Sequence, residues 1–270
     1  MPKIITFATL KGGTGKTMNL FNIAGILAEK HKVLLVDIDP QCNLSSNCGI
    51  DVADTDIFTI RDIFEHPRKD EQPHAEDIII HDPIRNLPNI DIIPSSILLF
   101  QIEDALVVMD SRSKILYNFF NRNKKYLSVY DYILIDTNPS LSVFNLNACY
   151  AADSIVLCSD ISANSIRGAE LFCSLWDAKR VQIDEDKEDN IAALLISNYS
   201  SRTRMAKDLM DYISVKDFSK DLILKTTIPA TVKLKETETK HKPINLLYRT
   251  SPVCQAYRDV VEEMMKEEVL

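Results

Sequence analysis

Ile4-Ile5-Thr6-Phe7-Ala8, followed almost at once by Lys11-Gly12-Gly13-Thr14-Gly15-Lys16-Thr17, decides the fold of this chain. The first run is apolar and predicts a buried strand. Behind the second, Leu20, Ile23, Ala24 and Leu27 recur at i, i+3, i+4 and i+7 and predict a helix running to about Glu29. Only six glycines occur in the chain, and three of them lie in this one turn between strand and helix. A strand, a glycine turn and then Lys-Thr opening a helix is an architecture that cradles the phosphates of a nucleotide. Glycine lets backbone N–H groups converge on an anion with no side chain in the way, and it reaches positive φ without steric cost. Lys16 supplies positive charge for the β- and γ-phosphates, and Thr17 offers a hydroxyl to Mg²⁺. Compared with the general pattern G-x-x-x-x-G-K-[ST], the segment departs at its start, where it carries Lys11.

Outward from the loop, strand and helix patterns alternate. Val33–Val36, Ile78–Ile80, Ile90–Ile93, Tyr132–Ile135, Ser154–Cys158, Ile191–Ile196 and Leu222–Leu224 read as strands. Residues 96–126 read as helix in two pieces, and further helices are expected over 165–182, near 203–213 and over 253–268, with an acidic loop at 184–189. Fully apolar strands alternating with helices predict an α/β fold: a mainly parallel central sheet with helices on both faces. No repeat, low-complexity tract or linker interrupts it, so residues 1–270 are expected to form a single domain.

In such a sheet ligands bind beyond the carboxyl ends of the strands. Asp37-Ile38-Asp39-Pro40-Gln41 follows one strand and Asp136-Thr137-Asn138-Pro139-Ser140 another. Carboxylates there hold Mg²⁺, mostly through water, and orient an attacking water. Each Asp alone also serves as a helix cap, but three together at strand ends point to one shared site.

Composition narrows the class. With 46% hydrophobic and 26% charged residues the chain is an ordinary globular protein, and no apolar run approaches the ~20 residues of a membrane span. Met1-Pro2-Lys3 leads directly into a strand and leaves no room for a signal peptide, so a cytoplasmic location is expected. Six cysteines without a C-x-x-C pair argue for buried, reduced thiols. Net charge is −8, yet residues 202–242 carry ten Lys or Arg against six Asp or Glu, a local +4 that leaves −12 for the remainder. That region suits a phosphate backbone or an ordinary solvated face.

Lys-Gly-Gly-Thr-Gly-Lys-Thr at 11–17 resembles the deviant Walker A motif of the ParA/MinD class of P-loop ATPases. Asp37-Ile38-Asp39-Pro40-Gln41 is similar to the D-x-D-P-Q segment of ParA (Soj) proteins, and Asp136-Thr137-Asn138-Pro139-Ser140-Leu141 to their D-x-P-P-S-L region. Ile228-Pro229 through Lys233-Leu234-Lys235-Glu236 and Lys242-Pro243-Ile244 resemble the family's I-P-R-N-x-x-L-x-E…G-K-P block. The resemblance implies a P-loop NTPase fold and a DNA-segregation ATPase. Such a protein forms an ATP-sandwich homodimer, binds DNA non-specifically, associates with the nucleoid and hydrolyses ATP slowly until stimulated by a ParB-type partner. It further implies that ATP is held by Lys11, Gly12, Gly13, Thr14, Gly15, Lys16, Thr17 and Met18. Mg²⁺ is then served by Thr17, Asp37, Asp39 and Asp136, catalysis by Lys11, Lys16 and Asp39, and the adenine by Asn198, Pro229 and Thr231. In this reading Lys11 reaches the other subunit's nucleotide. Met18 stands where the family usually has a second Thr, Asn138 replaces a Pro, and Ala230 replaces the Arg of I-P-R-N; Arg202, Arg204, Lys233 and Lys235 supply the DNA-binding charge instead.

Three other functions are weighed. A MinD-like positioning ATPase calls for a basic amphipathic C-terminal helix. Residues 259–270 carry five acids and one base, which an anionic membrane repels, so their apolar residues at 260, 261, 264 and 265 are expected to dock on the core. An electron-transfer ATPase of the nitrogenase-iron-protein kind requires cluster-ligating cysteines that the scattered thiols do not provide. An ATP-switched regulator with negligible turnover remains the alternative.

Overall fold

A computed structural model describes residues 1–51, 57–66, 72–107, 109, 112–200 and 204–270. The chain opens with β1 (Lys3–Ala8), α1 (Lys16–Leu27), β2 (Val33–Asp37), α2 (Asn43–Asn47), α3 (Ile60–Glu65), α4 (Ala75–Ile78), β3 (Ile80–His81) and β4 (Ile90–Ile93). It continues through α5 (Glu103–Val107), α6 (Ile115–Arg122), α7 (Lys124–Leu127), β5 (Tyr132–Asp136), α8 (Val143–Ala151), β6 (Ser154–Asp160), α9 (Ala163–Ile183) and β7 (Ile191–Ser197). The last part is helical: α10 (Arg204–Ser214), α11 (Lys233–Thr239), α12 (Ile244–Leu247) and α13 (Pro252–Lys266).

One seven-stranded sheet runs in the order β3-β4-β2-β5-β1-β6-β7. All neighbours are parallel except the two-residue edge strand β3, which pairs antiparallel with β4. The strand period of two sends alternate residues to opposite faces. Ile4 and Ala8 of β1 join one core, with Leu34, Val36, Ile133 and Ile135 and the helices that carry Phe64, Phe119, Phe144, Phe172 and Trp176. Ile5 and Phe7 join the other, with Val33, Leu35 and Leu134 and with Leu20, Phe21 and Tyr257 from α1 and α13. Burial on both faces is why these strands read as continuous apolar runs, and the mainly parallel sheet with helices on both sides is as expected.

Several elements differ from the sequence expectation. Ile78 ends α4 rather than opening a strand, because His74 and Asp77 form a capping box that starts a helix ahead of it. Residues 96–126 hold more than two pieces: 3₁₀ turns at Ile97–Gln101 and Arg112–Lys114 accompany α5, α6 and α7. Leu222–Leu224 makes only a single parallel bridge to β7, through Leu194. The next two N–H groups, of Lys225 and Thr226, donate to the Glu263 carboxylate at 2.6 and 2.9 Å, which draws the chain off the ladder. In the C-terminal helix Val260, Val261 and Met264 are buried as expected, whereas Met265 is 37% exposed. No helix among the described residues is long and apolar enough to cross a membrane.

Candidate nucleotide site

The turn after β1 lies at the centre of the sheet, between the carboxyl ends of β5 and β6, where a doubly wound sheet opens its crevice. Gly13 and Gly15 take φ of 80° and 83°, the left-handed region where a side chain is strained. A Cβ on Gly15 would also sit 3.6 Å from Ser197. Together with Lys11, Lys16, Thr17, Met18, Asp39 and Gln41, the loop lines a cleft of about 330 Å³.

Asp136, fully buried at the end of β5, organises the floor. It pairs with the Lys16 ammonium, itself only 6% exposed, and accepts a 2.7 Å hydrogen bond from Thr17 Oγ1. The Thr14 hydroxyl is buried beside them with no hydrogen-bond partner among the described residues. Asp37, at the end of β2, is the ladder partner of Asp136. Its Oδ1 accepts from the Asp39 N–H at 3.1 Å, and its Oδ2 accepts from the Ser45 N–H and hydroxyl at 2.8 and 2.7 Å. Burial, reinforced by the charge on Asp136, pushes the Asp37 carboxyl up to about 7 despite those bonds. Asp37 therefore braces the turn that presents Asp39 and does not itself line the cleft. Asp39 Oδ1 accepts from the Gln41 N–H at 2.9 Å, and burial raises its carboxyl above the ordinary carboxylate range.

Lys11 lines the cleft and extends toward the end of β6. Its Nζ donates to Ser162 Oγ at 3.0 Å and lies 3.5 Å from Oδ2 of Asp160, the last residue of β6, and its side chain stays 38% exposed. Met18, which has no hydroxyl for a phosphate, packs its sulfur 2.9 Å from Asn22 Nδ2 and 3.1 Å from Thr237 Oγ1, joining the loop to α11. Asn198, Pro229 and Thr231 do not line the cleft. A bridge between Tyr199 and Pro229 sets these segments side by side beyond β7.

Of the residues expected to meet DNA, Arg202 lies outside the described residues. Arg204 opens α10 with its side chain 94% exposed. Lys233 and Lys235 both sit on α11; Lys233 Nζ lies 5.1 Å from the centre of the Tyr248 ring, and Lys235 is exposed. All six cysteines are free and only Cys173 is partly accessible; Cys42, between the cleft residues Gln41 and Asn43, is buried, as is Cys48.

Sequence reading missed Ser45, Ser95, Asp160, Ser162 and Glu238. Ser95 donates to the Asp39 carbonyl at 2.7 Å, and Glu238 of α11 lines the cleft. Ser95, Asp160 and Ser162 all lie at or just past the carboxyl end of β4 or β6, so the rule that found Asp37 and Asp136 also reaches them. Glu238 had no such signal, since only packing brings α11 to the loop.

A glycine loop leading from the central parallel strand into a helix, with a lysine and a threonine gripped by a neighbouring strand's carboxylate, defines the phosphate-binding α/β class. Residues 2–188 match the family model AAA_31, an AAA domain. The sporulation initiation inhibitor protein Soj of Bacillus subtilis is 33% identical over 267 residues, covering 98% of both chains. The chromosome partitioning protein ParA of Myxococcus xanthus is 28% identical over 267 residues, covering 98% of this chain and 89% of its own. Among solved structures, a plasmid partition protein of Borrelia burgdorferi B31 bound to AMPPNP superposes with a TM-score of 0.78 at 26% identity, covering 99% of this chain and all of that one. The chain belongs to the ParA/Soj family of P-loop ATPases.

Proposed function

We propose that this protein is an ATP-driven DNA-partition protein that pairs with a second copy of itself around two nucleotides. In this reading the glycine-loop N–H groups and Lys16 hold the β- and γ-phosphates, and the unpartnered Thr14 hydroxyl finds its acceptor on a phosphate oxygen. Thr17 and Asp136 fit Mg²⁺, because both offer hard oxygen donors at one point. No cluster of three or more metal-ligating His, Cys, Asp or Glu occurs among the described residues, which suits an ion that takes its other ligands from phosphate and water. When bound, magnesium neutralises charge on the phosphate oxygens. Asp39, whose Oδ1 is engaged by Gln41, has Oδ2 left to accept a proton from the attacking water, and its raised proton affinity suits that role.

The observation that carries the dimer is Lys11. Lys16 is buried against Asp136, while Lys11, at the same cleft, is 38% exposed and held by a single ion pair and one hydroxyl, available to deliver charge to a nucleotide held by a second copy. Non-specific DNA binding through Arg202, Arg204, Lys233 and Lys235 in the ATP-bound dimer, slow turnover and stimulation by a ParB-type DNA-binding protein complete the proposal. Action on a nucleoid implies a cytoplasmic protein with no membrane attachment, which the burial of Val260, Val261 and Met264 supports over the MinD-like alternative.

Lys11→Ala tests the dimer. ATP binding is expected to stay within about two- to threefold of wild type while the ATP-induced dimer peak on size exclusion disappears and turnover falls at least tenfold. A variant that still dimerises and hydrolyses normally refutes the trans role of Lys11.

A further inference from the structure

Two acidic side chains, Asp39 and Glu238, line the phosphate cleft. Asp39 belongs to the chemistry proposed above. Glu238 sits on the opposite wall, in α11, where its carboxylate forms no hydrogen bond or ion pair among the described residues. Glu238 is exposed and lines the cleft, so its carboxylate repels a triphosphate bound there through a charge that water and salt screen. The same residue, with Asn43, separates the cleft from a second cavity lined by Lys235 and His241. Glu238 therefore stands between the phosphate site and a cation proposed to meet DNA.

A second contact ties this helix to the loop. Thr237 Oγ1 lies 3.1 Å from the sulfur of Met18, the residue directly after Thr17. α11 thus touches the phosphate loop through Thr237, and the next residue, Glu238, lines the same cleft. Lys233 and Lys235 project from the same short helix, and Lys240 follows at its end. Of the two cleft carboxylates, Glu238 is the one carried by the helix that bears those cations.

We propose that Glu238 is a specificity-determining residue that senses the terminal phosphate: its carboxylate weakens triphosphate binding and converts the charge of bound ATP into a displacement of α11. This rests on the proposed function for its DNA-binding consequence, but not for its effect on nucleotide affinity. The two are separated by two measurements on the full chain. The first is a fluorescent-nucleotide titration of wild type, Glu238→Gln and Thr237→Val with ATP and ADP in Mg²⁺. Glu238→Gln is expected to bind ATP about five- to tenfold more tightly and ADP about twofold more tightly. That gain should shrink at 1 M salt, where exposed charges are screened. Thr237→Val, which removes the Met18 contact but no charge, should leave the ATP-to-ADP ratio unchanged. Equal affinities for wild type and Glu238→Gln, an equal gain for both nucleotides, or a gain that survives 1 M salt overturns the proposal.

The second measurement is fluorescence anisotropy of a labelled DNA duplex. ATP is expected to raise the DNA affinity of wild type at least threefold more than that of Glu238→Gln, because bound phosphate has no charge to push on the variant's α11. If Glu238→Gln gains as much DNA affinity from ATP as wild type does, the displacement of α11 is refuted. If wild type fails to bind DNA even with ATP, the partition reading fails, and the nucleotide titration alone decides whether Glu238 senses the phosphate.

Discussion

Asp37 and Asp136 form the last ladder pair of β2 and β5, both fully buried, and only Asp136 has a cation against it. Asp37 is buried without a cation of its own, beside the carboxylate of Asp136. Asp37 is the one pushed up, from 3.8 to about 7. Between those values the folded protein keeps a proton that the unfolded chain has released, so this group's contribution is full below the lower value and declines as pH rises through the upper one. Asp37→Asn is expected to flatten the fall in urea midpoint between about pH 4 and pH 7. A wild-type slope no steeper than the variant's over that range refutes the assignment. From the sequence, Asp37, Asp39 and Asp136 were legible as one cluster because each follows an apolar strand. Their division of labour was not, because it depends on where Ser45 and Lys16 fall in space.

At the scale of elements, α1 is the organiser. Asn19 donates to Ser197 Oγ at 2.6 Å and accepts from the Tyr257 hydroxyl at 3.0 Å, while Asn22 accepts from the Ile244 N–H at 2.7 Å. One helix thereby fixes the end of β7, α13 and the start of α12 relative to the loop. Gly25 lets α12 approach: a Cβ there would lie 2.5 Å from Pro243 Cβ and 2.7 Å from Asn245 Oδ1, whose amide nitrogen donates to the Gly25 carbonyl at 2.8 Å. Gly25→Ala gains about 1 kcal/mol of helix propensity but overpacks a rigid proline ring, which costs about 1–3 kcal/mol. A net loss of up to about 2 kcal/mol is expected in urea unfolding. Unchanged stability would mean that α12 shifts away without cost. The period of α1 was plain in the sequence, but the reason for a glycine within it was not. α11 and α12 were missed as helices because seven and four residues give too little pattern to count.

Across the whole molecule, an acidic protein of net charge −8 is proposed to hold DNA through a local basic segment. Binding by a few phosphate contacts falls steeply with salt, by about 0.9 log unit in affinity per log unit of salt for each contact. Wild type in ATP is expected to follow that law, and replacing Lys233 and Lys235 together with Ala should reduce the slope by about two while weakening unrelated duplexes equally. A slope unchanged by the double substitution would move the DNA surface away from α11.

The sequence by itself determined the sheet, its two covered faces and the phosphate loop. These are local facts: an apolar run, a helical period and a cluster of glycines each declare themselves within a dozen residues. Tertiary structure alone decided that Asp37 braces a turn, that Lys11 rests on Asp160 and Ser162, and that Glu238 lines the cleft. In each case the partners lie far apart in the chain or on an element too short to read, and a side chain's charge acts through space rather than along the backbone.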